Sequence, residues 1–129
     1  MASVAEFRAA LRRFLRTSER NARAAGLTPQ RYLLLLMIKG ARDRSERSTV
    51  TELAERLQLA QSTVTELVSR AEDVGLVARE RSSEDGRIAY LRLTEDGERR
   101  LAQSFTSNER ERRALLEAFS HLEGHRFQV

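Results

Sequence analysis

The polar side chains of the stretch AQSTVTELVSRAEDVG, residues 60 to 75, are the groups in this sequence best suited to specific hydrogen bonding. Val64, Val68 and Ala71 recur at helical spacing, which predicts a helix with one buried face. The other face carries short polar groups and one cation, namely Gln61, Ser62, Thr63, Thr65, Glu66, Ser69 and Arg70. Such groups match base edges in the DNA major groove, since Gln pairs with adenine, Glu accepts from cytosine, and Ser or Thr contacts several bases. The stretch therefore predicts a base-reading helix, and a solvated polar face on a helical hairpin is the alternative.

The turn SSEDG and the arginine after it form a second polar cluster. Arg87 would lie at the tip of a hairpin, from which a guanidinium can enter a narrow minor groove, where A·T-rich DNA concentrates negative potential. Gly86 permits the tight turn. Arginines on the flanking strands are placed to meet phosphates, namely Arg79, Arg81 and Arg92. An ordinary charged hairpin is the alternative interpretation.

Patterns for catalysis or metal binding are weak in this chain. His121 and His125 are four residues apart, as in a helical metal pair, but Gly124 lies between them in a tail that reads as frayed. The sequence has no nucleophile–base set and no Gly-rich phosphate loop. It therefore predicts that the chain is not an enzyme and holds no metal or cofactor.

The composition predicts one domain with an anionic partner. The 129 residues carry a net charge of +4, and 22 of the 23 cations are arginine, which forks onto phosphates and guanine edges. A coding bias explains the arginine excess equally well. The absence of Cys excludes disulfides, thiol redox sensing and Cys-ligated zinc. No apolar run reaches about 18 residues and the start lacks a signal-peptide core, so we expect a cytoplasmic protein without membrane contact.

These polar groups need a scaffold, and the hydrophobic spacing predicts a mostly α-helical one with a small β wing. A first helix spans residues 3–24 and ends at Gly26. A second begins at Thr28 and Pro29 and closes at Gly40. Its stretch RYLLLLMIK is apolar nearly all round, so it should be the central buried helix. The predicted order is α-α-β-α-α-β-β-α.

The remaining elements follow from turn and cap residues. The pair TV at residues 49–50 reads as a short strand, and Thr51 as the cap of the next helix. The turn QLA then leads into the base-reading helix, which Gly75 ends. LVARERSSEDGRIAYLRLT reads as two strands around a turn, after which Thr94 caps one long helix to about Phe119.

Two constellations combine these elements. Residues 51–70, two short helices joined by a tight turn, match a helix-turn-helix, and the strands that follow at once suggest a wing. The first and last helices each carry a heptad-like apolar seam, which predicts an all-helical dimer interface. The seam residues are Phe7, Leu11, Phe14, Leu115, Phe119 and Leu122. Asn108 and Arg112 interrupt the second seam, which indicates a hydrated or register-setting stretch.

From Leu27 to Gly97 the chain resembles the MarR family of winged helix-turn-helix transcription regulators. The likeness rests on TVTELAERLQLAQSTVTELVSRAEDVGLV, on EDGR and on LRLTEDG, whose combined spacing is specific. The resemblance implies a homodimeric regulator that binds pseudo-palindromic operator DNA, with first- and last-helix segments building the dimer, often around a small-ligand pocket. It also implies that Asp85, in the family's Asp-x-Arg pattern with Arg87, shapes the tip of the wing.

Three departures from the family pattern carry expectations. Gln58 stands where Gly is frequent in the turn, which predicts a left-handed non-glycine residue at a cost of about 1 kcal/mol. Ala60 stands where Ser often opens the recognition helix, so the cap is expected to be missing or to move to Gln61 or Ser62. The chain also ends near the point where many members begin a further helix, which leaves the size of the dimer interface open.

The sequence thus predicts a single MarR-like domain over residues 1–129. Residues 28–97 form its DNA-binding part, called the winged-helix core below, and residues 1–26 and 98–129 form a helical dimerisation region, called the terminal helices. The predicted function is a sequence-specific regulator on double-stranded DNA, a homodimeric repressor with a possible small-molecule effector. Two alternatives stay open: a winged-helix module that binds proteins, and a ligand-binding dimer without DNA contacts.

Overall fold

A computed structural model describes residues 1–126, with side chains described as far as Leu122. Six helices and three short strands follow one another in this range. They are α1 (Ala2–Ala24), α2 (Pro29–Lys39), β1 (Arg47–Ser48), α3 (Val50–Leu57), α4 (Gln61–Asp73), β2 (Val77–Arg81), β3 (Ala89–Leu93), α5 (Glu95–Ser107) and α6 (Glu109–Arg126). The predicted mostly helical fold with a small β wing is confirmed, with one helix more than predicted. No helix in this range is long and apolar enough to cross a membrane.

Helix α2 forms the centre of the fold, as its apolar sequence predicts. Leu34, Leu35 and Ile38 are fully buried, and they pack with side chains from α3, α4 and β3. The helix begins where the Thr28 side chain accepts a hydrogen bond from the Arg31 backbone, and it ends at Gly40. Both helix boundaries were predicted, because cap residues satisfy backbone groups that the helix itself leaves unpaired.

The three strands form an antiparallel sheet in the order β1-β3-β2. Strand β1 lies at residues 47–48, so the strand predicted at residues 49–50 is wrong by two positions. The cap predicted at Thr51 is also wrong, because Thr49 caps α3. Thr49 and Glu52 each accept a hydrogen bond from the other's backbone N–H, at 3.2 and 2.9 Å. This reciprocal pair satisfies two backbone donors, whereas a cap at Thr51 would begin the helix two residues late.

The long helix predicted from Thr94 to Phe119 is two helices that meet at Asn108. The Asn108 side chain is fully buried, and its oxygen accepts a hydrogen bond from Asn21 of α1 at 2.7 Å. Its amide nitrogen donates at 3.4 Å to Ser18 and to Tyr32. The Asn108 backbone N–H turns back to the Phe105 carbonyl, three residues earlier, which interrupts the α-helical ladder. Asn108 thus forms hydrogen bonds within the chain at the junction of the two helices.

Helix α5 starts in close contact with the end of α4. The Thr94 hydroxyl donates to the Gly75 carbonyl at 2.6 Å and accepts from the Gly97 N–H at 3.1 Å. A Cβ at Gly97 would overlap the carbonyl oxygen of Leu76. A glycine is therefore needed at this point for α5 to pack against the chain that leads into the wing.

Helices α1 and α6 pack along each other within the chain. The rings of Phe7 and Phe119 lie 6.1 Å apart between centroids. The other predicted seam residues, Leu11, Phe14, Leu115 and Leu122, are half-buried. The two predicted seams therefore contact each other in one chain, although part of their apolar surface stays exposed.

Candidate nucleic-acid interface

Helices α3 and α4 form the predicted helix-turn-helix. Gln58 adopts the predicted left-handed conformation, with φ of 57°, and its side chain donates to the Glu55 carbonyl at 2.6 Å. The Leu59 N–H donates to the Ala54 carbonyl at 3.1 Å, which closes the turn. Ala60 precedes α4 without any side-chain cap, which confirms the expectation of a missing cap. The turn is thus held by backbone and side-chain hydrogen bonds, despite its unfavourable residue at position 58.

Helix α4 is fixed firmly to the core and turns its polar face outward. Its side chains Val64, Val68 and Ala71 are fully buried against the core. The residues predicted to read bases are all exposed: Gln61, Ser62, Thr63, Thr65, Glu66 and Arg70, with Ser69 beside them. At 100° per residue, the middle of this exposed face falls at Ser62, Glu66 and Ser69. A rigid backbone under an uncovered polar face is the arrangement that base reading needs.

Two side-chain contacts involve this face, one with α3 and one between two residues of α4. The Gln61 side-chain nitrogen donates to the Thr51 hydroxyl at 3.0 Å, and Arg70 pairs with Glu66 at 2.6 Å one helical turn away. Both pairs are exposed, so DNA could reach them. The Glu66–Arg70 pair makes the middle of the face nearly neutral.

A shallow groove of about 140 Å³ runs between α4 and the start of α2. Gln30 lines one side of it, and Thr63 and Arg70 line the other. Gln30 adds a further hydrogen-bonding amide beside the polar face of α4. Sequence reasoning missed this residue, because no local pattern links Gln30, in the first turn of α2, with a helix that begins at Gln61.

The wing is the hairpin of β2 and β3, and Asp85 holds its tip together. The Asp85 carboxylate accepts from the backbone N–H of Arg87 at 3.0 Å and from its guanidinium at 3.3 Å. The Ser82 hydroxyl accepts from the backbone N–H of Glu84 and of Asp85, both at 3.2 Å. The Arg87 side chain is 92% exposed and projects at the tip. The structure thus gives Asp85 the shaping contacts that the resemblance implied.

Gly86 has a smaller role than predicted. Its φ is not positive, and a Cβ placed on it would meet no atom within 4 Å. The turn therefore does not require a glycine here, since another L-residue would fit without strain. The Gly86 carbonyl does matter, because it accepts a hydrogen bond from Arg81 at 2.5 Å.

The strand arginines predicted to meet phosphates already have partners. Arg79 pairs with Glu72 of α4 at 2.9 Å, Arg81 bonds the Gly86 carbonyl, and Arg92 lies 3.8 Å from Glu80. To bind a phosphate, each must exchange an interaction within the protein for one with DNA. The binding free energy that each phosphate interaction adds is reduced by what the lost interaction contributed. For an exposed ion pair that loss is 0 to about 1 kcal/mol.

The positive excess of the chain does not lie in the winged-helix core. Residues 28–97 contain eleven basic and twelve acidic side chains, whereas α1 alone contains six arginines and two glutamates. The net charge of +4 is therefore a property of α1 and not of the surface around α4.

Metal binding finds no support among the described residues, where no three His, Cys, Asp or Glu side chains are grouped to hold an ion. The His121 side chain is exposed, and that of His125 lies outside the described side chains. The single Lys of the chain has a structural role. Hydrogen bonds from Lys39 to Glu98 of α5 and to Glu46 before β1 raise its pKa and tie α2 to both.

Comparison with known proteins places this geometry in a family. Residues 25–88 match the MarR family. The organic hydroperoxide resistance transcriptional regulator of Bacillus subtilis (strain 168) is 39% identical over 71 residues, which are 55% of this chain and 46% of that protein. The chain spans about half the length of the curated relatives it matches.

Solved structures show the same fold. A mutant of E. coli MarR complexed with operator DNA superposes with a TM-score of 0.72 at 19% identity, over 95% of this chain and 89% of that one. The M. tuberculosis transcriptional regulator MOSR in complex with DNA superposes with a TM-score of 0.59 at 27% identity, over 78% of this chain and 69% of that one.

Proposed function

Because the chain belongs to the MarR family of winged-helix regulators, we propose that it binds double-stranded DNA sequence-specifically as a transcriptional regulator. The observation that carries the proposal is α4. Its outer face is uncovered and rich in hydrogen-bonding groups, while Val64, Val68 and Ala71 fix its inner face in the core. The two relatives solved with DNA have the same arrangement of helices and wing.

In this proposal α4 enters the major groove and the wing reaches the neighbouring minor groove. Gln61, Ser62, Thr63, Thr65 and Glu66 contact base edges, and Arg70 meets the flanking backbone. Arg87 enters the minor groove, where it adds affinity with little sequence preference. Arg79 and Arg81 gain phosphates in exchange for Glu72 and the Gly86 carbonyl.

We also propose that the protein acts as a homodimer on a pseudo-palindromic operator and represses transcription. Two recognition helices must then reach grooves about 34–36 Å apart. Large apolar side chains that remain exposed on α1, α5 and α6 support this assembly: Val4, Leu15, Phe105, Leu116 and Phe119. Exposed apolar side chains on these helices are surface that a second chain can cover. Operator binding in turn requires that the protein share a compartment with DNA, in keeping with the predicted cytoplasmic location.

The absence of Cys limits the signals that these residues can sense. One relative is named for organic hydroperoxide resistance. These 129 residues contain no Cys, so a thiol within them cannot sense a peroxide. The small-molecule effector that the resemblance implies stays a prediction, and within these residues it would act by chemistry other than that of a thiol.

A gel shift with DNA from upstream of the protein's own gene tests the proposal. We expect a discrete complex that survives an excess of unrelated duplex. Retention of that complex by Ser120→Asp, an exposed change on α6, would show that added negative charge alone does not prevent binding. Absence of any complex, with a dimer intact by sedimentation, would favour a ligand-binding dimer or a protein-interaction module instead.

A further inference from the structure

The start of α4 lies beside the start of α3, and one hydrogen bond joins their side chains. The Gln61 amide nitrogen donates to the Thr51 hydroxyl at 3.0 Å. Gln61 does not cap α4, since Ala60 is the cap residue and no side chain bonds to that helix end. The Gln61 amide is therefore directed by α3 and not by its own helix.

The Thr51 hydroxyl has no part in capping α3. That role belongs to Thr49, which exchanges two hydrogen bonds with Glu52. Thr51 is exposed at the second residue of α3, and among the described residues its side-chain hydrogen bond is the one from Gln61. The Thr51 hydroxyl thus bonds the side chain of Gln61 on α4 and does not stabilise the end of α3.

The direction of the amide decides which base it can pair with. Bidentate pairing with adenine requires the amide oxygen to accept from the N6 amino group while the amide nitrogen donates to N7. A Gln amide carries two N–H donors and one acceptor oxygen. With one N–H on Thr51, Gln61 keeps one donor and its oxygen, which is the pair of groups that adenine needs.

We propose that Thr51 is a positioning residue that orients the Gln61 amide for adenine. The inference rests on the proposed function, because it assumes that α4 enters the major groove. Without Thr51 the Gln61 side chain would sample other rotamers, and the preference for adenine at one operator position would weaken. The contacts of the other α4 residues with bases would be unaffected.

Binding-site selection on random duplexes, with wild type and Gln61→Ala, first finds the operator position that Gln61 reads. Affinities are then measured for short synthetic duplexes that differ only at that position. We expect Thr51→Val, which keeps the shape of the side chain and removes the hydroxyl, to reduce the preference for adenine roughly three- to ten-fold, the range for one hydrogen bond. Thr51→Ser, which keeps the hydroxyl, should retain the preference. In a Gln61→Ala background, Thr51→Val should have no further effect.

Three results would overturn the inference, each in a recognisable way. If Thr51→Val weakens binding equally for all four bases, the hydroxyl contacts a phosphate and does not orient Gln61. If Thr51→Val keeps the full preference that Gln61→Ala loses, Gln61 orients itself, and the proposed function still stands. If the wild type selects no sequence at all, the proposed function is wrong, and this inference is wrong as well. Circular dichroism of each variant shows that α3 remains folded.

Discussion

The winged-helix core and the terminal helices differ in how completely one chain buries them. In the core, Leu34, Leu53 and Leu91 are fully buried. On the terminal helices, Leu116 is 59% exposed and Phe119 45% exposed, although both lie on a helix that packs against α1. The core thus buries most of its large apolar side chains within one chain, with Leu33, Val74 and Ile88 exposed, whereas the terminal helices keep apolar surface that a second chain can cover.

The two regions differ in polarity as well. Side chains buried in the terminal helices include the polar Ser18, Ser104 and Asn108, and α1 carries the net positive charge. In the core, Glu66, Glu72 and Glu80 each pair with an arginine. We infer that the core provides a rigid, charge-balanced surface for binding and that the terminal helices join two chains.

The largest expected effect comes from the seam of α6, where Leu115 is half-buried and Phe119 is 45% exposed. Leu115→Asp together with Phe119→Asp places two charges in the proposed interface and should give monomers. Because a monomer cannot bind through two half-sites at once, DNA affinity should fall roughly a hundred-fold or more. Sedimentation and anisotropy titrations measure the two effects, with Ser120→Asp as the control on the same helix. A wild-type chain that sediments as a monomer at micromolar concentration would contradict the assignment of assembly to these helices.

A change at the junction of the two regions should act on stability. Gly97→Ala forces a Cβ onto the Leu76 carbonyl and should lower the free energy of unfolding by about 3 kcal/mol. Gly86→Ala is the matched control, because its Cβ meets open space, and it should change stability by less than about 0.5 kcal/mol. Urea denaturation measures both. Equal effects of the two substitutions would mean that α5 does not pack against Leu76 as closely as described.

The buried polar cluster should have a smaller effect. Asn108→Ala removes the acceptor of Asn21, and leaving that amide partly buried without a partner should cost about 2 kcal/mol. Ser107→Ala, an exposed neighbour, should be nearly neutral. A double-mutant cycle with Asn21→Ala isolates the pair, and additive effects in that cycle would show that the two amides do not interact.

The smallest expected effect comes from the wing. Arg87→Ala should weaken binding across many sequences and leave the preferred motif nearly intact. Removal of one phosphate-equivalent interaction lowers the log–log salt slope by about 0.9, so a dimer without both Arg87 side chains should show a drop of roughly 2. Asp85→Ala should weaken binding less, because it acts through the shape of the tip. In a salt titration with Arg110→Ala on α6 as control, an unchanged slope for Arg87→Ala would make Arg87 a solvated turn residue.

The sequence predicted the core better than the terminal helices, and particular residues show why. Thr28, Gly40 and Gln58 act through neighbours a few residues away, and so does the cap that Thr94 provides to Gly97, so these roles can be read from a short stretch. The cap of α3 is equally local, since the T-x-x-E pattern begins at Thr49, and the prediction of Thr51 overlooked that pattern.

Other features depend on contacts between distant parts of the chain. The break at Asn108 depends on Asn21, 87 residues away, and no local pattern reveals that pairing. The hydrogen bond between Thr51 and Gln61 depends on how α3 crosses α4. The partners of the wing arginines likewise depend on how β2, β3 and α4 are placed together.

Selection of binding sites from random duplex DNA shows whether α4 reads bases. We expect the wild type to enrich a two-fold symmetric motif with half-sites about one DNA turn, roughly 10 base pairs, apart. We also expect Gln61→Ala to relax one position in each half-site and to leave the remainder of the motif in place. A wild type that enriches nothing, or a Gln61→Ala protein that selects the same motif as the wild type, would contradict base reading by α4.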